Sequence, residues 1–260
     1  MQFAVLRALP LAALAVALHS GTSRADSPAG GWKSVETLQA AEAHQGAAAD
    51  ETFAYAITNA KVAKYDRRTG QRVAVSTGPA KHLNSGVFWQ GKLFLAHSNY
   101  PRTPEQSEIK VLDPDSMQLA TFHDFGNFGG SLTWACERDG QWWCNFARYG
   151  DDNGETFLAR FDDRWRELGR WTYPPQVLRQ IGKMSLSGGM WWNDSLLVTD
   201  HDHPRLYRLQ LPKAGTVLEF IDTQPAPFTG QGIALDPKTG GLIGIDRVKR
   251  QLIFASREAD

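Results

Sequence analysis

"HLNSGVFWQGKLFLAHS", residues 82–98, is the stretch on which the fold turns. It reads as small or polar residues, an apolar strand, a Gln90–Gly91 turn and a second apolar strand, the chemistry of a tight β-hairpin. The phrase returns as "HQGAAADETFAYAI" (44–57), "GGSLTWACERDGQWWCNFA" (129–147), "LSGGMWWNDSLLVTDH" (186–201) and "GQGIALDPKTGGLIGID" (230–246). A second phrase follows the first: "KVAKYDRRTGQRVAVS" (61–76), "IKVLDPDSMQLATF" (109–122), "LARFDDRWRELGRW" (158–171) and "LYRLQLPKAGTVLEF" (206–220). It alternates apolar and polar residues around a turn, as a half-exposed hairpin does. Its fifth copy survives only as "RQLIFAS" (250–256).

Two hairpins per unit, repeating every 40 to 45 residues or about that, are the blades of a propeller. Five units predict an all-β, five-bladed β-propeller of four-stranded antiparallel blades. A β-sandwich has no need of the repeat, and an open solenoid would leave two uncapped ends. The last unit lacks its outermost strand, and "GWKSVETLQA" (31–40) is a spare segment able to supply it and close the ring. Between the third and fourth units, "WTYPPQVLRQIGKM" (171–184) predicts an added helical turn on one face.

The chain of 260 residues carries 28 basic and 28 acidic side chains, for a net charge of zero. That balance removes the electrostatic case for a nucleic-acid partner or an anionic membrane surface. The opening "MQFAVLRALPLAALAVALHSGTSRADS" has one Arg, an apolar run and a small-residue exit, and reads as a signal peptide cut near Ala25. Residues 26–260 are then a single propeller domain, periplasmic or secreted. The leader's apolar run falls short of the roughly 20 residues that span a bilayer, so no membrane attachment is expected after cleavage.

The two cysteines are Cys136 and Cys144. A type I′ turn at Asp139–Gly140 pairs Cys136 with Trp143, which puts the thiols one register apart on opposite faces. Export permits a disulfide and a bulge would restore the register, so both states stay open at this level.

In a propeller the loop leading into each innermost strand and the loop joining the second and third strands open on one face. Unit one brings His44, Gln45 and Asn59 to that mouth; unit two brings His82, Asn84, Ser85, His97 and Asn99. Units three to five add Ser131, Asn145 and Arg148, then Ser185, Ser187, His201, Asp202 and His203, then Gln231, Asp246 and Arg247. Seven histidines occur, one of them in the leader, and His123 alone of the other six lies outside these loops. Short polar residues at blade ends are ordinary turn formers. Histidine is not needed for turns, so its segregation is the functional signal.

Imidazoles, an arginine and amides around a funnel suit three chemistries. The first is acid–base catalysis of lyase, cycloisomerase or lactonase type, with His82 or His97 as base, His44 as partner acid and Arg148 as carboxylate or oxyanion anchor. Gln45, Asn84, Ser85, Asn99, His201, Gln231 and Arg247 would bind the substrate. The second is a divalent metal ion held by His44, His82, His97 and His201. The third is capture of a small-molecule or sugar-like ligand without reaction, by a binding or interaction propeller. No Gly-x-Ser-x-Gly elbow and no Cys–His nucleophile pair is evident, which disfavours acyl transfer.

The His-containing phrases above, with "GSLTW", "FDDRW", "LYRLQLPKAGTVLE" and "GQGIALD", resemble a group of exported bacterial β-propeller proteins often labelled cycloisomerase. That group is distantly similar to muconate-lactonising and gluconolactonase-type propellers. The resemblance spans nearly all of residues 26–260 and implies a propeller fold and a lactone or sugar-acid substrate. His44, Gln45, His82, Asn84, Ser85, His97 and Asn99 match the group's motifs. Blade four departs from them: the group's Ser-Asn-Ser-Gly-Gly is here Ser185-Leu186-Ser187-Gly188-Gly189, which puts shared ligand specificity in doubt.

Overall fold

The computed structural model describes residues 30–258; the leader expected at 1–25 lies outside them. Five four-stranded antiparallel sheets form five blades. Blade one is β2 (Gly46–Ala49), β3 (Phe53–Ile57), β4 (Val62–Asp66) and β5 (Arg72–Val75). Blade two is β6 (His82–Trp89), β7 (Lys92–Ser98), β8 (Ser107–Asp113) and β9 (Gln118–Gly126). Blade three is β10 (Ser131–Arg138), β11 (Gln141–Ala147), β12 (Phe157–Phe161) and β13 (Glu167–Thr172). Blade four is β14 (Gly189–Trp192), β15 (Ser195–Thr199), β16 (Arg205–Gln210) and β17 (Glu219–Pro225). Blade five is β18 (Ala234–Leu235), β19 (Leu242–Asp246), β20 (Gln251–Arg257) and, outermost, β1 (Trp32–Gln39).

The ring therefore closes by pairing the N-terminal strand with the last one, from Trp32↔Arg257 to Gln39↔Gln251. Covering both edges this way leaves no blade incomplete. The insertion before blade four folds as the helix α1 (Pro175–Ile181), whose Val177 and Ile181 are buried. Its apolar side packs in the seam between blades three and four.

Alternation along each middle strand sends successive side chains to the two neighbouring blades. On β7, Leu93 and Leu95 pack in the core shared with blade one, while Phe94 and Ala96 pack in the core shared with blade three. The seams thus make a continuous circular core. Near the axis the blades touch through glycines. A Cβ on Gly232 would lie 2.7 Å from Ser85 Cα, and one on Gly188 would lie 2.4 Å from the Gln231 carbonyl oxygen. Gly46 and Gly232 form a parallel bridge between blades one and five. Only a residue without a Cβ allows this approach.

The Asp139–Gly140 turn has both residues at positive φ, 55° and 75°, and pairs Cys136 with Trp143. Cys136 faces the blade-four seam and Cys144 the blade-two seam, and both are free thiols. Burial pushes the Cys136 thiol up to about 12 and Cys144 well above its ordinary range. Both should therefore be inert in the native protein, because the thiolate is the reactive form. Titration with a thiol reagent is expected to detect neither cysteine in the native chain and both after denaturation; native labelling would refute it.

Candidate functional site

The mouth is built from loops of all five blades. Leading into β2, His44 is half-buried, and Gln45 donates through Nε2 to Asn59 Oδ1 at 2.6 Å. Burial and the charges of Arg250 and Arg247 hold the His44 imidazole below its ordinary range. His82, half-buried at the head of β6, is also held low: burial does most of this and the charge of His44 adds to it, against the neighbouring Asn84 side chain. Both rings are thus neutral at neutral pH.

From His82 a line of rings crosses to blade three. Its centroid lies 5.3 Å from that of Tyr100, and Tyr100 lies 4.7 Å from Tyr149. The Tyr149 hydroxyl sits beside Ser185 of blade four, and burial pushes it up to about 12, so it stays protonated. Ser185 and Ser187 are 3.3 Å apart through their hydroxyls. In blade four His201 Nδ1 is 2.7 Å from Asp202 Oδ1, and Asp202 pairs at 3.5 Å with Arg247 of blade five. Arg247 bears on His44, and the circuit returns to blade one.

The hairpin of blade two turns two histidines expected together toward different seams. Its Gln90–Gly91 turn starts a register in which His97 would face Asn84, on the side that His82 also shares. A bulge between Leu83 and Gly86 shifts that register, so that His82 pairs with Ser98 and Leu83 with His97. One extra residue flips every side chain beyond it. His82 accordingly faces the blade-three side, and His97 joins Leu93 and Leu95 on the blade-one side.

His97 there lines a lateral cleft of about 360 Å³ with Lys81, Glu108, Lys110 and Asp124. Its Nε2 accepts the backbone N–H of Lys81 at 2.9 Å. Its Nδ1 lies 3.0 Å from Glu108 Oε2 without the alignment of a hydrogen bond. Glu108 is also held by Lys110 at 2.7 Å. Burial and the Lys110 charge push His97 down to about 4 against the pull of Glu108. With Nε2 committed to the backbone, His97 has no free base nitrogen.

Other expected residues make contacts within the scaffold. Asn84 Nδ2 donates to the Leu132 carbonyl across the seam at 2.9 Å, and Ser85 is buried against Gly232. Asn99 shapes its own loop, donating to Pro104 O and accepting from Gln106 N, both at 3.0 Å. Arg148 is engaged by Gly129 O at 3.1 Å, Asp152 at 3.2 Å and Glu155 at 3.6 Å. Gln231 is buried in a left-handed conformation (φ 71°) beside Gly188. His203 and Arg205 converge on buried Asp200 at 3.0 and 2.9 Å and so anchor the His201 loop.

The metal reading loses its ligand set: among the described residues no three His, Cys, Asp or Glu side chains gather as an ion-binding group. His44, His82, His97 and His201 do not converge, because the bulge turns His82 out of the seam that His97 enters and Asp202 engages His201.

Tyr100 and Tyr149 were not singled out by sequence. Both occupy the loop after a second strand, in "HSNYP" and "FARYG", the same location that singled out Asn99 and Arg148.

No protein-family model matches the chain, and no curated protein matches it by sequence. Among solved structures its fold is similar to the crystal structure of Myxococcus xanthus glutaminyl cyclase, with a TM-score of 0.61 and 11% identity. That match covers 90% of this chain and 100% of the other. A chain of a mitotic checkpoint complex is matched at a TM-score of 0.48 and 11% identity, over 98% of this chain and 99% of that one. The first likeness supports the propeller fold.

Proposed function

We propose that this chain is an exported acid–base enzyme that acts on a small polar substrate, a lactone or sugar acid, at the propeller mouth. The observation that carries the reading is the line of rings that runs from a neutral imidazole, His82, through Tyr100 to a protonated phenol, Tyr149, among the mouth loops. A base needs its proton off and a donor needs its proton on at the working pH, and these two groups meet both conditions. His82 takes a proton from carbon or water. Tyr149 donates a hydrogen bond to the oxygen on which charge develops.

Arg247 replaces Arg148 as the carboxylate anchor in this reading, since the Arg148 guanidinium is held by its own loop. A neutral His44 orients substrate rather than supplying a proton, and His97 is a positioning residue for the blade-two rim. Proton abstraction beside a carboxyl or carbonyl gives elimination, cyclisation or ring opening, the reactions that the resemblance implies. A glutaminyl cyclase on a similar fold is consistent with such a mouth supporting cyclisation, although fold alone does not select a reaction. The apolar leader with its small-residue exit supports export.

The reading is tested by screening lactones, sugar acids and unsaturated uronides against the wild type and His82→Ala. Turnover of one class by the wild type, lost in the variant, is the expected result. Binding without turnover in both would replace the enzyme with a ligand-binding propeller.

A further inference from the structure

The seam between blades three and four carries a second cluster, on the face opposite the mouth. The turns Asp139–Gly140 and Asn193–Asp194 lie at the far ends of their strands from the mouth loops. Between them opens a groove of about 380 Å³, lined by Arg138, Asp139, Trp143, Arg160, Trp191 and Asp194 among others. Trp143 and Trp191 meet edge to face with centroids 4.9 Å apart, and Trp143 stacks on Trp171 at 5.6 Å.

Arg160 reaches this seam because alternation on β12 sends Leu158 and Arg160 toward blade four. Its guanidinium lies 5.4 Å from the Trp143 ring and 5.5 Å from the Trp171 ring. No carboxylate among the described residues pairs with it, and its Nε has no hydrogen-bond partner. The indole N–H groups of Trp143 and Trp191 are likewise unpartnered and buried. Arg138, stacked at 4.7 Å over Trp191, pairs only with Asp139 and Asp194, whose side chains are almost fully exposed. Such surface pairs hold a cation weakly.

Buried donors without acceptors are rare in native proteins and each calls for a partner. Here one arginine without a carboxylate partner, a second held only by the exposed Asp139 and Asp194, and two indoles with unspent N–H groups line one groove. Stacking alone accounts for the arginines' positions but not for the unspent N–H groups. We propose that this groove is a second ligand site, one that takes a small carboxylate carried on a six-membered ring with a face able to stack on an indole. The carboxylate meets the guanidinium of Arg160, with Arg138 at the rim, and the ring lies against the tryptophans.

The test is tryptophan fluorescence of the full chain, titrated with sodium glucuronate, sodium benzoate, sodium acetate and glucose. Saturable change with glucuronate or benzoate is expected, and which of the two is tighter tells a sugar acid from an aromatic acid. Acetate should bind about tenfold more weakly or worse and glucose not at all, since the carboxylate and the ring both contribute. Arg160→Met should weaken the ring carboxylate by about tenfold or more, the size of a lost charge-assisted contact. Trp191→Phe keeps a ring and removes one N–H, so it carries the test if Arg160→Met fails to fold. His82→Ala at the mouth should leave this titration unchanged. The proposal is overturned if neither ring carboxylate saturates, if Arg160→Met (or Trp191→Phe in its place) binds like wild type, or if His82→Ala abolishes the signal.

Discussion

Replacing Asp236 with alanine is expected to destabilise the fold by about 3–5 kcal/mol, the usual cost of stranding one partner of a buried ion pair. Asp236 follows β18 in blade five, and Arg67 follows β4 in blade one. The guanidinium grips the carboxylate with two bonds of 2.7 and 2.9 Å, and the two side chains are 3% and 0% exposed. Arg67 also donates to Asp50 O at 2.8 Å, and its guanidinium lies 4.5 Å from the Phe254 ring centroid. Asp236 further accepts from Thr239 Oγ1 at 2.7 Å. This clamp joins the first blade to the one that the chain's two ends share, so it holds the ring where it is most easily opened.

At roughly 2–4 °C per kcal/mol for a domain of this size, thermal unfolding should fall by about 6–20 °C. Glu258→Gln, which breaks the exposed pair with Lys33, should cost less than about 1 kcal/mol. The double change Asp236→Leu with Arg67→Met should recover part of the loss, because an apolar pair leaves no stranded charge. Equal melting of Asp236→Ala and Glu258→Gln would remove the clamp from the account. Acid gives a second readout. Burial alone would raise the Asp236 carboxyl, but its bonds to Arg67 and Thr239 outweigh that and hold it below its ordinary range. A lowered folded value contributes stability above the unfolded value of about 4, lost as pH falls through the folded one. Asp236→Asn should flatten the stability curve in that acid window.

The architecture was legible because it depends on repetition and on turn chemistry. Asp139–Gly140 dictated the pairing of Cys136 with Trp143, and the missing fifth outer strand pointed to residues 31–40. The rim was legible as a set of loops but not as a set of directions. His82 and His97 belong to one hairpin end, yet the bulge between Leu83 and Gly86 decides whether the His82 ring shares the seam of His97. Nothing local in "HLNSG" announces that bulge; close packing at the axis, where Ser85 meets Gly232, accompanies it. Arg148 looked free because its partners, Asp152 and Glu155, come from a turn formed only in the fold. Tyr100 and Tyr149 are conspicuous only once the ring closes and their side chains meet.

His82→Gln, which keeps a polar side chain without a titratable base, is expected to lower kcat/KM by about 10²–10⁴-fold, the usual share of a general base. Tyr149→Phe removes one hydroxyl and should cost about 10²–10³-fold if that hydroxyl meets the developing oxyanion. The pH profile separates these roles from mere support of the rim. Because burial and the charge of His44 hold His82 below the ordinary histidine value of about 6.5, its base form persists into mild acid. The wild-type rate should therefore be flat through neutrality and fall only below that value. Tyr149, pushed up to about 12, keeps its proton across the same range and adds no alkaline limb near neutrality. His44→Gln removes a neighbouring charge that depresses His82, so its acid limb should move to higher pH. An acid limb in the same place for wild type and His44→Gln would show that His82 is not the group being titrated, and the base would have to be sought elsewhere on the mouth.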